Sequence, residues 1–184
     1  MKIPSTRLGV LGGGQLGKMM ALAAGNWHLP FFALDASRGF PAGPFCTGFT
    51  EGNFNDYDDV LRFGKTVDAL TIEIEHVNIE ALLRLEQEGL VIHPKPAALQ
   101  MIKDKGLQKQ FYENQGLPTA PFELFENEQA IRVAVAQKRW TLPFVQKSRT
   151  DGYDGRGVSV IRTERDLTEK LLPGACLLEE MVPI

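Results

Sequence analysis

The chain alternates short apolar runs with stretches in which apolar residues recur every three or four positions. Runs at 7–11, 31–34, 69–72 and 90–92 read as buried strands bounded by glycine, proline and charged residues. Leu16, Met19, Met20 and Ala23 recur at i, i+3, i+4 and i+7, which predicts a helix ending near Gly25 with these four on one face. Asn55 or Asp56 caps a second helix carrying Val60, Leu61 and Phe63, and Ile79, Leu82 and Leu83 mark a third. Residues 36–54 read as loop with a brief edge element near 45–49. Strand and helix therefore alternate through the first half, as in a Rossmann-like parallel sheet.

The pattern changes after His93, where Pro94 and Pro96 put a domain edge near 94–98. Residues 98–115 predict one helix bearing Lys103, Lys105 and Lys109. Lysines on such a helix ordinarily form a solvated face, although Lys105 can also turn toward a nucleotide. Gly116, Pro118 and Pro121 then redirect the chain into a strand at 122–125 and a helix capped by Asn127. Extended segments follow at 143–147 and 158–161. Thr163 with Asp166 forms a capping arrangement for a short helix whose Leu167 and Leu171 face the sheet, and 175–178 is the last strand. The second unit reads β-α-β-β-α-β, a small antiparallel sheet with two helices. The expected organisation is α/β: a Rossmann-like parallel-sheet domain over 1–97, a linker helix over 98–118 and a small α+β subdomain over 119–184.

Candidate chemistry falls at three places. Gly12, Gly14 and Gly17 spell GxGxxG after a strand, with Asp35 near the position that would hold a ribose hydroxyl. This pattern admits an NAD-linked oxidoreductase, a turn offering helix amides to another phosphate, or a tight turn without a ligand. Gln15 and Leu16 sit at the mouth of the helix, where Gln15 can bond a small substrate. Glu73 and Glu75 end a parallel strand, where ligands bind in open α/β sheets, and share a face if the strand persists. Lys147 precedes a glycine loop with Gly152, Gly155 and Gly157, flanked by Arg149 and Arg156. Such a hairpin reads either as a flap over phosphates with lysine as a point charge, or as a charged solvent hairpin. The edge of the final strand offers backbone groups to a nucleotide base.

Composition narrows the classes. The 184 residues are 43% hydrophobic and 23% charged with a net charge of -3, and no basic run suggests a nucleic-acid partner. Cys46 and Cys176 read as buried thiols, and the three histidines have no metal-ligand spacing with them. Without an apolar run near 20 residues or a cleavable leader, no membrane association is expected and the cytoplasm is the expected compartment. The chain stops at Ile184 directly after a strand, as a piece of a longer protein would.

Five segments together resemble the ATP-grasp superfamily, and within it the N5-carboxyaminoimidazole ribonucleotide synthase family. They are GGGQLGKM at 12–19, EIEHV at 73–77, GLPTAP at 116–121, GYDGRG at 152–157 and EEMV at 179–182. The resemblance implies an ATP-, Mg2+- and bicarbonate-dependent ligase that carboxylates aminoimidazole ribonucleotide through carboxyphosphate. It places Lys105 and Lys147 at phosphate contacts, and Gly152, Tyr153, Asp154, Gly155, Arg156, Gly157 and Val158 on a loop over ATP. Glu179, Glu180, Met181 and Val182 fall around adenine, and Gln15, Leu16, Glu73 and Glu75 near the ribonucleotide. His76 stands where the family has asparagine. The family's third region, with the magnesium carboxylates and much of a homodimer surface, has no counterpart before Ile184, so the chain is expected to be truncated before the C-terminal ATP-grasp region and to lack useful turnover. The rival readings are a formate-using ATP-grasp ligase acting on glycinamide ribonucleotide, the NAD-linked oxidoreductase, and a non-catalytic ATP-binding module.

Overall fold

The computed structural model describes residues 6–150 and 157–182. The chain divides into two compact units, Met1–Gln100 and Met101–Ile184. In the first, β1 (Leu8–Leu11), β2 (Phe31–Asp35), β3 (Gly48–Glu51), β4 (Ala69–Ile72) and β5 (Val91–His93) form a parallel sheet in the order β3-β2-β1-β4-β5. Alternation along β1 sends Val10 and Leu11 to opposite faces, and both are fully buried. On one face Val10 packs with Ala21 and Ala24 of α1 (Gln15–Asn26). On the other, Leu11 joins Val60 and Phe63 of α2 (Tyr57–Gly64) and Leu82 and Leu85 of α3 (Ile79–Gln87). Asp56 caps α2 by accepting from the Asp59 amide, and Asn78 caps α3 in the same way from Ala81.

The inner face of α1 differs from the sequence expectation. Gly17, Ala21 and Ala24 face the sheet and Met20 of the expected stripe packs partly against the same cluster, whereas Leu16 and Met19 are 57% and 58% exposed. Both stripes have helical period, and they lie about one residue, or 100°, apart around the helix. Closeness selects the smaller one: a Cβ on Gly17 would stand 2.7 Å from the Gly12 carbonyl oxygen.

A second departure lies between the units' regular sheets. The single helix expected over 98–115 is two, α4 (Pro96–Lys103) and α5 (Lys105–Asn114). Asp104 is extended between them and accepts from the amides of Gly106 at 2.8 Å and Leu107 at 3.2 Å, so its side chain starts a new helix rather than continuing the old one.

The second unit follows as β6 (Phe122–Phe125), α6 (Glu128–Ala136), β7 (Phe144–Ser148), β8 (Val158–Ile161), α7 (Glu164–Glu169) and β9 (Cys176–Glu180). Its sheet is antiparallel in the order β6-β9-β7-β8, so the last strand lies inside the sheet, paired on both sides. The expectation that a base could use the edge of this strand is corrected accordingly: ladder pairing extends to Glu180, and among the described residues Met181 and Val182 lie beyond it. Phe125, Ile131, Phe144, Ile161, Leu167 and Leu178 form the core between sheet and helices. Thr163 and Asp166 complete a reciprocal capping box on α7. Cys176 is fully buried while Cys46 is only half-buried, and both are free thiols. Among the described residues, no helix is long and apolar enough to cross a membrane.

Packing gives a paired expectation for urea unfolding. Gly17→Ala should cost about 1–3 kcal/mol because the obstacle is backbone, whereas Met19→Gln should fall within about 0.5 kcal/mol of the parent. The reverse order would restore the large-residue stripe as the inner face.

Candidate functional site

In the first unit the chain runs from β1 outward to β2 and β3, then returns to place β4 on the other side of β1. The carboxyl ends of β1 and β4 are therefore the switch point, where open α/β sheets bind ligands. The glycine turn leaves β1 there, and Glu73 leaves β4. Gly12 has φ +111, and a Cβ on it would come within 2.6 Å of Glu73 Oε2. A Cβ on Gly14 would meet Glu73 Oε1 at 2.8 Å, so the Glu73 side chain lies directly over the turn. Gln15 and Leu16, the first residues of α1, are both exposed beside it.

Glu73 and Glu75 do not share a strand face. β4 ends at Ile72 and the following residues bend, leaving Glu73 half-buried and Glu75 exposed. Asp35 is engaged at the turn. Its Oδ2 accepts from the Gly13 amide at 2.6 Å and its Oδ1 from Ala36 at 2.7 Å, so it holds the turn itself.

In the second unit Lys147 stands on β7 opposite Val158, and the Ser148 amide donates to the Gly157 carbonyl at 2.8 Å. Gly157 has φ 74, a conformation suited to glycine where the chain re-enters β8. Lys147 therefore roots the hairpin; Gly152, Tyr153, Asp154, Gly155 and Arg156 lie outside the described residues. Lys105 begins α5, and its amide donates to the Arg149 carbonyl at 2.9 Å, which brings its backbone beside the end of β7. Arg149 also grips Asp104 through two nitrogens, Nε at 3.0 Å and Nη2 at 2.6 Å. The start of α5 is thus tied to β7 two residues past Lys147.

The centre of this unit is Glu179. Lys147 Nζ lies 2.6 Å from its Oε2, and Lys109 Nζ lies 3.0 Å from its Oε1. Lys109 is buried, donates also to Ala120 O at 3.0 Å and to Thr119 Oγ1, and sits over the Phe122 ring. The expectation that the helix lysines form a solvated face fails for Lys109. The sequence signal was available only in the pairing of a helix lysine with a strand acid far along the chain. Glu180 is not part of this group: it pairs with Phe144, so alternation directs its side chain to the face opposite Glu179, where it lines a groove with Glu123, Trp140 and Met181.

Burial pushes the Glu179 carboxyl up, but hydrogen bonds and charge from Lys147 and Lys109 outweigh it and leave the group below its ordinary value. Asp104 shows the same balance, burial opposed by Arg149 and the two capping amides, with a net lowering. Among the described residues, no three His, Cys, Asp or Glu side chains converge as a metal-ligand set.

The chain thus joins a parallel unit with a glycine turn at its switch point to a small α+β unit with Lys147 at the root of the β7–β8 hairpin. Residues 5–103 match the family model described as the ribonucleotide synthetase preATP-grasp domain, and 110–184 match the ATP-grasp domain. The chain belongs to this ribonucleotide synthetase family. Within it, the chain is similar to the N5-carboxyaminoimidazole ribonucleotide synthetase of Thermotoga maritima, with TM-score 0.84 and 33% identity over 97% of this chain and 46% of that one. It is similar also to the Aspergillus clavatus synthase solved with ADP and 5-aminoimidazole ribonucleotide, with TM-score 0.84 and 28% identity over 98% and 48%. A phosphoribosylaminoimidazole carboxylase from Candida glabrata is 34% identical over 171 residues, covering 91% of this chain and 30% of that protein. The chain thus spans about half the length of the solved synthetases and under a third of the carboxylase.

Because Glu179 and Asp104 have lowered folded-state values, their stabilisation is whole above the ordinary values of 4.5 and 3.8 and is lost as pH falls through the lowered ones. The melting temperature should therefore fall as pH drops below about 5, and Glu179→Gln should flatten that fall. An unchanged slope in the variant would show that the carboxylate is not held as described.

Proposed function

We propose that this chain is the N-terminal part of an ATP-dependent ligase that carboxylates 5-aminoimidazole ribonucleotide with bicarbonate. In the proposed sequence a bicarbonate oxygen attacks the γ-phosphorus of ATP, releasing ADP and forming carboxyphosphate. The amine of the ribonucleotide then takes the carboxyl group, phosphate leaves, and the amine proton passes to solvent. Residues 1–97 hold the ribonucleotide, 98–118 link, and 119–184 hold the nucleotide.

The observation that carries the reading is Lys147 at the root of the glycine hairpin, in register with Val158. A lysine there meets phosphate oxygens while the hairpin residues cover them. Lys105, held beside Arg149 by its backbone, supplies a second cation. Met181 and Val182, beyond the ladder, offer the backbone groups for adenine. Gln15, Leu16 and Glu73 take the ribonucleotide, with Glu73 closer than Glu75 because its side chain lies on the turn. Magnesium is assigned to carboxylates outside these 184 residues, and the reaction to the longer protein.

Titration calorimetry tests this. ATP should bind and NAD should not, and Lys147→Ala should weaken ATP about tenfold or more, the worth of one charge-assisted contact. Preferential NAD binding that ignores Lys147→Ala would overturn the ligase reading. Gln15→Ala and Glu73→Gln should weaken 5-aminoimidazole ribonucleotide while leaving ATP affinity in place; equal losses for both ligands would defeat the division between units. Sustained bicarbonate-dependent consumption of the ribonucleotide by this chain alone would defeat the assignment of essential groups elsewhere.

A further inference from the structure

We propose that Lys109 is a positioning residue for the nucleotide phosphates: by keeping its hold on Glu179, it allows Lys147 to leave that carboxylate for them. The inference rests on the reading of Lys147 as a phosphate ligand.

The two lysines that share Glu179 are held very differently. An ammonium has three donors. Those of Lys109 go to Glu179 Oε1, Ala120 O and Thr119 Oγ1, and its side chain is 8% exposed. Lys147 is 31% exposed, and its ion pair among the described residues is with Glu179 Oε2. Lys109 is therefore the fixed cation and Lys147 the transferable one.

The charge count explains why both are needed. Two lysines and one carboxylate leave a net charge of one positive unit. When Lys147 turns to a phosphate, Glu179 remains paired with Lys109, so no carboxylate that is only 12% exposed is left without a partner. Without Lys109, Lys147 and Glu179 would form a neutral couple. A phosphate could then recruit Lys147 only by leaving a mostly buried carboxylate uncompensated, an arrangement far costlier than the intact pair. The role is distinct from simple stapling, because it predicts that removing the carboxylate as well should restore Lys147.

Four proteins decide the matter: the parent chain, Lys109→Met, Glu179→Gln and the double variant, each checked for folding by circular dichroism. Calorimetry with ATP and with AMP should show ATP weakened about tenfold or more in Lys109→Met, with AMP changed by less than about twofold. The double variant should recover ATP affinity to within about threefold of the parent, since Lys147 then has no carboxylate to hold it. A double variant no better than Lys109→Met, or equal losses for ATP and AMP, would reduce Lys109 to a structural staple and overturn the proposal. A ligand-free arm separates this inference from the functional reading. Acylation of Lys147 by an N-hydroxysuccinimide ester, followed by mass spectrometry, should slow in Lys109→Met and recover in the double variant. If the parent binds no ATP, the functional reading fails and with it the phosphate role. If the parent binds ATP while Lys109→Met changes neither affinity nor labelling, only this inference fails. Should Lys109→Met not fold, Glu179→Gln decides: it must strengthen ATP relative to AMP and speed labelling of Lys147, and no change in either overturns the proposal.

Discussion

A carboxylate withdrawn from water is tolerable only where opposite charge and hydrogen bonds replace its hydration. Glu179 meets that requirement with one lysine from α5 and one from β7, so three elements far apart in sequence are bound through a single acid. The same residue stands on β9, which enters the sheet between β6 and β7 although it follows both along the chain. Strand pairing and charge pairing therefore locate the same element. Arg149 and Asp104 add a second tie between α5 and β7, and together the two pairs determine where Lys105 and Lys147 begin.

Acids also govern the first unit, with a different result. Asp35 reaches the glycine turn from β2 and takes the Gly13 amide, while Glu73 reaches it from β4 and covers Gly12 and Gly14. A glycine turn that cradles an anion presents consecutive amides to it. Here the amides of Gly12 and Gly13 are already bonded, to the Leu34 carbonyl and to Asp35, and the Glu73 carboxylate overlies the turn, so its mouth is acidic. The motif shared with dinucleotide folds thus provides close packing of α1, through Gly17 against the Gly12 carbonyl, more than an anion cradle. This is why the same spacing of glycines, read alone, left several chemistries open.

Local signals carried much of the architecture. Ala69–Ile72 and Phe122–Phe125 begin and end where their apolar runs do, and Asp56, Asn127 and Thr163 cap the helices that follow them. Each of these features is settled within a few residues: a side chain bonds an amide two or three positions on, or a run of apolar residues gives way to a turn. The alternation of strand and helix and the later β-α-β-β-α-β order were legible for the same reason. The errors arose where two local readings were equally regular. Leu16 and Met19 have as good a helical period as Gly17, Ala21 and Ala24, and only the nearness of the Gly12 carbonyl selects the small residues. Asp104 fits a continuous helix by pattern, yet its side chain, gripped by Arg149 just past β7, caps a new one.

By itself, then, the sequence determined most of the elements, several of their caps, the order of the two units and the residue types at the glycine turn and the hairpin. These depend on neighbours along the chain, whose distances are bounded by covalent geometry. Tertiary structure alone decided which acid lies over the turn, that β9 is interior, and that Lys109 is buried against Glu179 rather than solvated. The physical reason is that electrostatic pairing acts across space: a lysine at 109 and a glutamate at 179 have no mutual effect until the sheet closes, and afterwards neither can be understood without the other.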